Sequence, residues 1–160
     1  MPDIDAKNGT LWIGYRHRGL DWRERTAELT LNPTIPWFIE VKGGLSELTA
    51  DLSDLNVSGL QVKGGATDLR LALPVPVGTV PVELKGVVGA LDVRRPEGVA
   101  TQLSVKGAVS RLRFDDQWNG PAGPNAELQT PGFATAKNRY AIDLKGGASS
   151  VSVRMGGDQV

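Results

Sequence analysis

Catalysis needs a nucleophile, an acid–base pair or a set of metal ligands held close together, and this 160-residue chain carries few of the raw materials. His17 is the only histidine, which rules out a multi-histidine metal site, and it stands between Arg16 and Arg18, whose charges oppose the imidazolium that a histidine-based triad must form. Cysteine is absent, which removes thiol nucleophiles, thiolate ligands and disulfides. Asp115-Asp116 could contribute to a carboxylate pair or a calcium site, but two aspartates where a strand runs into a loop are also turn formers. The Gly-Gly pairs at 43–44, 64–65 and 146–147 lead into strand-like segments, whereas a phosphate cradle leads into a helix. The expectation is a protein that is not an enzyme and uses no metal or cofactor.

Two groups of residues could bind. Lys42, Lys63, Lys85, Lys106 and Lys145 are each followed by glycine. If stacked, their ammonium groups would form a stripe for an acidic polymer such as a polysaccharide. Two residues earlier, however, stand Glu40, Glu83 and Asp143. Residues i and i+2 of a strand share a face, so a self-compensated, solvated face is the favoured reading. The second group is Trp12, Tyr15, Arg16, Arg18, Trp22, Arg23, Arg25 and Trp37, joined by Phe38. Trp and Arg are the commonest interface anchors, which makes this cluster the candidate interaction surface. The same residues would also serve as a cap over the open end of a stack of strands.

The elements that must position these groups come from a repeat. The Lys-Gly pairs are 21, 22, 21 and 39 residues apart, and self-similarity at a fixed period means one structural unit stacked on its copies. One and three residues before each lysine stand branched aliphatics: Val41 and Ile39, Val62 and Leu60, Leu84 and Val82, Val105 and Leu103, Leu144 and Ile142. The residue between them is polar each time, which is the alternation of a strand with one buried face. Six and eight residues after the lysine a second strand turns Leu48 and Ala50, Leu69 and Leu71, Leu91 and Val93, Leu112 and Phe114, Val151 and Val153 inward. Pro74, Pro76, Gly78 and Pro96-Glu97-Gly98 supply corners, since proline cannot donate to a ladder.

The expected fold is all-β: a single-stranded parallel β-solenoid with rungs of about 21 residues, stacked about 4.8 Å apart. An antiparallel β-sandwich is the alternative. One domain is expected over 1–160. Within it, 1–36 is a degenerate first rung and aromatic cap, 37–114 the regular rungs, 115–139 an insertion loop whose segment 126–129 adds a strand, and 140–155 the last rung. Stacking in chain order would put Leu69, Leu91 and Leu112 in one column, each on the next.

Basic and acidic residues balance at 18 each, so no overall field draws the chain to nucleic acid or anionic lipid. No apolar run reaches the roughly 18 residues of a spanning helix, and the start does not read as a signal peptide. The expectation is a cytoplasmic chain without direct membrane insertion, an excised domain of a membrane protein being the alternative.

Three stretches carry a resemblance: Ala27-Glu28-Leu29-Thr30-Leu31-Asn32-Pro33 running into Glu40-Val41-Lys42-Gly43-Gly44, Leu69-Arg70-Leu71-Ala72-Leu73-Pro74, and Leu144-Lys145-Gly146-Gly147-Ala148-Ser149. They resemble the bacterial toast-rack domains, related to the C-terminal domain of cell-wall-active antibiotic response proteins, over roughly residues 1–155. The resemblance implies a β-solenoid-like module without catalytic residues, often attached to transmembrane helices and linked to envelope-stress signalling. The functional expectation is therefore a non-enzymatic module for protein interaction or regulation, with an unknown protein partner or self-association. A self-assembling scaffold is the alternative, motivated by the short tail after Val153, which would leave the last rung uncovered. A carbohydrate-binding or carbohydrate-cleaving β-helix comes third.

Overall fold

A computed structural model describes the backbone at residues 3–7 and 10–14 and the full structure of residues 28–156. The chain forms two compact units, residues 1–31 and 32–160. In the first, β1 (Asp3–Lys7) and β2 (Thr10–Gly14) pair antiparallel, with Lys7 opposite Thr10. Only Asn8-Gly9 separates the two strands, and Asn-Gly is the favoured two-residue hairpin sequence. Within the stretch read as a degenerate rung, residues 3–7 and 10–14 thus pair with each other, whereas the two strands of a rung lie in different sheets.

The second unit is built as rungs. Each Lys-Gly joins one strand to a partner in the facing sheet: β3 (Pro36–Lys42) to β4 (Leu45–Asp51), β5 (Asn56–Lys63) to β6 (Ala66–Ala72), and β7 (Thr79–Lys85) to β8 (Val88–Arg95). The same join links β9 (Ala100–Val105) to β10 (Val109–Phe114), and, after β11 (Trp118–Ala122) and β12 (Ala126–Gln129), β13 (Arg139–Leu144) to β14 (Ala148–Met155). Two six-stranded sheets result. Sheet I has the order β12-β9-β13-β7-β5-β3 and sheet II the order β11-β10-β14-β8-β6-β4. All rung-to-rung pairings are parallel. This is the parallel solenoid expected from the column matching, and it displaces the antiparallel sandwich.

The stacking order is not the chain order. β13 pairs with both β7 and β9, and β14 with both β8 and β10. The rung that is last in sequence therefore sits fourth in the stack, wedged between the rung of β7 and β8 and the rung of β9 and β10. Leu91 faces Val151, and Val151 faces Leu112. The expected direct stacking of Leu91 on Leu112 is thus corrected, as is the uncovered last rung: β14 is flanked on both sides. The end of the stack belongs instead to the stretch read as an insertion loop. There β11 runs antiparallel to β10 and β12 antiparallel to β9. The strand expected at 126–129 is present, and β11 is an addition to it.

Glycine after Lys63, Lys85, Lys106 and Lys145 is required by the stack. A Cβ at Gly86 would lie 1.9 Å from the carbonyl oxygen of Gly64, and φ there is +132°, a region open in practice to glycine. A Cβ at Gly146 would lie 1.7 Å from the Gly86 oxygen, and one at Gly107 2.0 Å from the Gly146 oxygen. The turns therefore nest backbone on backbone in the order 64, 86, 146, 107. Between the sheets lies one continuous aliphatic core. Leu69, Leu91, Leu112, Val93, Phe114, Tyr140 and Leu144 are all essentially sealed from water.

Candidate interaction surfaces

The lysines point outward from sheet I in the spatial order Lys42, Lys63, Lys85, Lys145, Lys106, set by the parallel register and the ladder bonds beyond it. Beside them runs the column Glu40, Gln61, Glu83, Asp143, Ser104. Glu40 accepts from Lys42 at 3.1 Å and Lys63 at 3.0 Å. Glu83 accepts from Lys85 at 2.9 Å, Lys145 at 3.1 Å and the Gln61 amide at 3.0 Å. These donors hold the Glu83 carboxyl down at about 2, with Lys85 the largest influence. Glu40 is lowered as well, chiefly by Lys63. The stripe is thus a mesh of pairs across rungs, as the self-compensated reading expects, with Lys106 at its end outside any ion pair among the described residues.

The outer face of sheet II is different. Its columns are Glu47, Asp68, Ala90, Ser150, Arg111; then Thr49, Arg70, Asp92, Ser152, Arg113; then Asp51, Ala72, Arg94, Arg154. Arg70 pairs with Asp68 at 2.8 Å and Glu47 at 3.7 Å. Arg154 and Arg94 both reach Asp92, at 2.8 and 3.6 Å. Arg111 and Arg113 are exposed and take no carboxylate partner among the described residues. The inserted rung is the cause. Without it Arg113 would neighbour Asp92; with it, Ser152 stands between them and Arg154 occupies the aspartate.

One ion pair is buried. Arg95, at the inner side of β8, binds Asp115, and their side chains are 2% and 11% exposed. Burial lowers the guanidinium's affinity for its proton, and Asp115 opposes that. Asp115 has φ +45° and opens the turn after β10, so the Asp-Asp pair is a turn former with a structural ionic role; Asp116 is exposed. Tyr140 is fully buried and donates its hydroxyl to the Pro74 carbonyl, and burial pushes its pKa up. Among the described residues no group of His, Asp and Glu gathers to hold a metal, and no helix is long and apolar enough to cross a membrane.

Of the aromatic–basic cluster, Trp12 lies on β2 opposite Asp5. Tyr15, Arg16, Arg18, Trp22, Arg23 and Arg25 lie outside the described residues. Trp37 is on β3, half-buried, and its indole N–H donates to the Asn32 carbonyl at 2.8 Å. Phe38, 59% exposed, lays its ring over Gly59. Two features escaped the sequence reading: the unpaired Arg111 and Arg113, and Trp118, which sits opposite Phe114 on the capping strand at 42% exposure. Arg113 stands between the inward Leu112 and Phe114 and so faces out, but only the rung order shows that it lacks a carboxylate among the described residues.

Comparison with known proteins accords with this architecture. The family model described as "N-terminal domain of toast_rack, DUF2154" matches residues 5–94, more than half of the chain. A solved structure from Clostridium sporogenes, described as a "putative cell adhesion protein", superimposes with a TM-score of 0.70 at 19% identity, covering 98% of this chain and 76% of that one. That likeness is one of fold. No functionally curated protein matches in sequence. On the family match and the stacked-rung architecture together, the chain belongs to the toast-rack family.

Proposed function

We propose that the protein is a non-enzymatic protein-interaction module that presents the outer face of sheet II to a partner at the bacterial envelope. The observation that carries this reading is the pair Arg111 and Arg113, exposed and, among the described residues, without a carboxylate on a face whose other arginines are paired. Exposed arginines of this kind are ready anchors, since arginine is enriched among the residues that dominate binding. The toast-rack relationship supports a regulatory role in envelope stress, and the description of the Clostridium structural neighbour supports an adhesive type of contact. Trp22 and Arg25 of the N-terminal cluster belong to a second candidate surface.

The test is crosslinking capture from bacterial envelope fractions with three baits: the unaltered chain, Arg111→Glu/Arg113→Glu, and Trp22→Ala/Arg25→Ala. A partner held by the first bait and lost from the second supports the sheet II reading. Loss from the third bait alone moves the surface to the N-terminal cluster. Equal recovery by all three overturns both surfaces.

A further inference from the structure

We propose that the outer face of sheet II binds the same face of a second copy, so that Arg111 of each copy lies over Glu47 of the other, with Arg113 two residues further along the strand. This rests on the interaction-module reading and names the partner. The face is polarised along the stack. At the β4–β6 end lie Glu47, Asp51 and Asp68, with Arg70 alone against them; at the other end lie Arg94, Arg154, Arg111 and Arg113, with Asp92 alone against them. Between the ends Ala72, Ala90, Ser150 and Ser152 keep the surface low. A face acidic at one end and basic at the other is complementary to itself when turned end for end.

The symmetry follows from the topology. Two sheets meeting face to face as an isologous pair are related by a two-fold axis lying in the interface. An axis along the stack would set β10 on β10 and bring arginine against arginine, which costs binding. An axis parallel to the strands, over β8, reverses the rung order, sets β10 on β4 and β14 on β6, and leaves β8 on its own copy, where each strand brings one Asp92 and one Arg94 and no net charge. Arg111 then stands over Glu47, in the same column along the strand.

The size of the face sets the strength. Six strands about 4.8 Å apart and some six residues long at about 3.3 Å each give on the order of 500 Å² per copy. Standard interfaces bury about 800 Å² per partner. The dimer is therefore weak, driven by charge and sensitive to salt, because the Debye length falls from about 30 Å at 0.01 M to about 3 Å at 1 M.

Sedimentation equilibrium of the whole chain tests this. The protein dimerises at low salt and is at least about tenfold weaker near 1 M salt. Two charge-reversed variants, Arg111→Glu/Arg113→Glu and Glu47→Lys/Asp68→Lys, are each monomeric at low salt, because each opposes like charges at both contacts. Mixed in equal amounts, they form a heterodimer, since both contacts are then complementary. Far-UV circular dichroism checks that each variant is folded. A protein monomeric at low salt, a dimer indifferent to either variant, or folded variants that fail to pair when mixed overturns the proposal. If the chain is monomeric yet still captures an envelope partner through Arg111 and Arg113, this inference fails and the interaction-module reading stands. A dimer rescued by mixing, with no captured partner, gives the reverse.

Discussion

Arg95 and Asp115 pair across a strand that belongs to neither of their rungs. Arg95 ends β8, Asp115 follows β10, and β14 runs between them. The backbone makes the same clasp: the Asp115 N–H donates to the Val153 carbonyl at 2.9 Å, and the Gly156 N–H to the Arg95 carbonyl at 2.7 Å. The pair thus closes over the end of the inserted rung. Its cost is visible in Arg95 Nε and Asp115 Oδ1, both buried without a hydrogen-bond partner.

That arrangement predicts an asymmetric response to mutation. Asp115→Asn keeps the size and the tolerance for positive φ but strands a buried guanidinium. It destabilises by about 3–5 kcal/mol in urea unfolding, the usual cost of breaking a buried pair from one side. Arg95→Met/Asp115→Asn removes both charges and recovers most of the loss. Equal losses in the single and double variants would mean that the turn geometry at 115, and not the charge, is what matters.

The glycine ladder separates two kinds of strain. Gly98 has φ +74° with open space where a Cβ would go, so Gly98→Ala costs about 1–2 kcal/mol of backbone strain. Gly86→Ala adds a collision with the Gly64 carbonyl to a φ of +132°, and costs about 2–5 kcal/mol. Thermal unfolding monitored by circular dichroism ranks the two. A Gly86→Ala variant as stable as Gly98→Ala would mean that the turns are not nested.

The rung order can be read from a double-mutant cycle. Leu91→Ala alone costs about 2–5 kcal/mol, while exposed Arg70→Ala changes stability by about 0.5 kcal/mol or less. Leu91 and Val151 are register partners, so Leu91→Ala and Val151→Ala couple by about 0.5–3 kcal/mol. Leu91 and Leu112 are two strand spacings apart, about 9.6 Å, and meet only through Val151, so their truncations couple less than those of 91 and 151. Strong coupling of 91 with 112 and none with 151 would restore the chain-order stack.

These residues also show what was legible beforehand. Ile39 and Val41, or Leu69 and Leu71, announce a strand by alternation, and matching columns announce parallel stacking. The order of the stack is not legible, because Val151 is as good a neighbour for Leu91 as Leu112 would be. Aliphatic columns carry no address. The interval of 39 residues before Lys145 marked an interruption, but a detour out to the cap and back has the same signature as a loop. Trp118-Asn119-Gly120-Pro121 reads as a turn by composition, and it becomes β11 only because β10 offers it an edge. The charge state of sheet II depended on the same missing order. Asp92 and Arg113 look paired in chain order and are separated in space by Ser152.

Glu83 makes the inserted rung visible to pH. Its carboxylate joins Lys85 of its own rung to Lys145 of the inserted one, at 2.9 and 3.1 Å. These bonds bring its pKa from 4.5 down to about 2. A carboxyl depressed in the folded state contributes stability above its unfolded value, and that contribution is lost as pH falls through the folded one. The contribution of Glu83 is therefore full at pH 7, declines below about 4.5 and is gone near 2. Its side chain is 23% exposed, so solvent and salt screen the effect and keep it modest. Glu83→Gln lowers the urea midpoint at pH 7 relative to the unaltered chain, and the two midpoints converge as the pH approaches 2. Raising the salt at pH 7 narrows the gap. Lys145→Met, which removes only the inserted rung's share, gives part of the same gap with the same pH dependence. A gap that persists unchanged at pH 2 would assign the loss to packing and not to the carboxylate that ties the third and fourth rungs together.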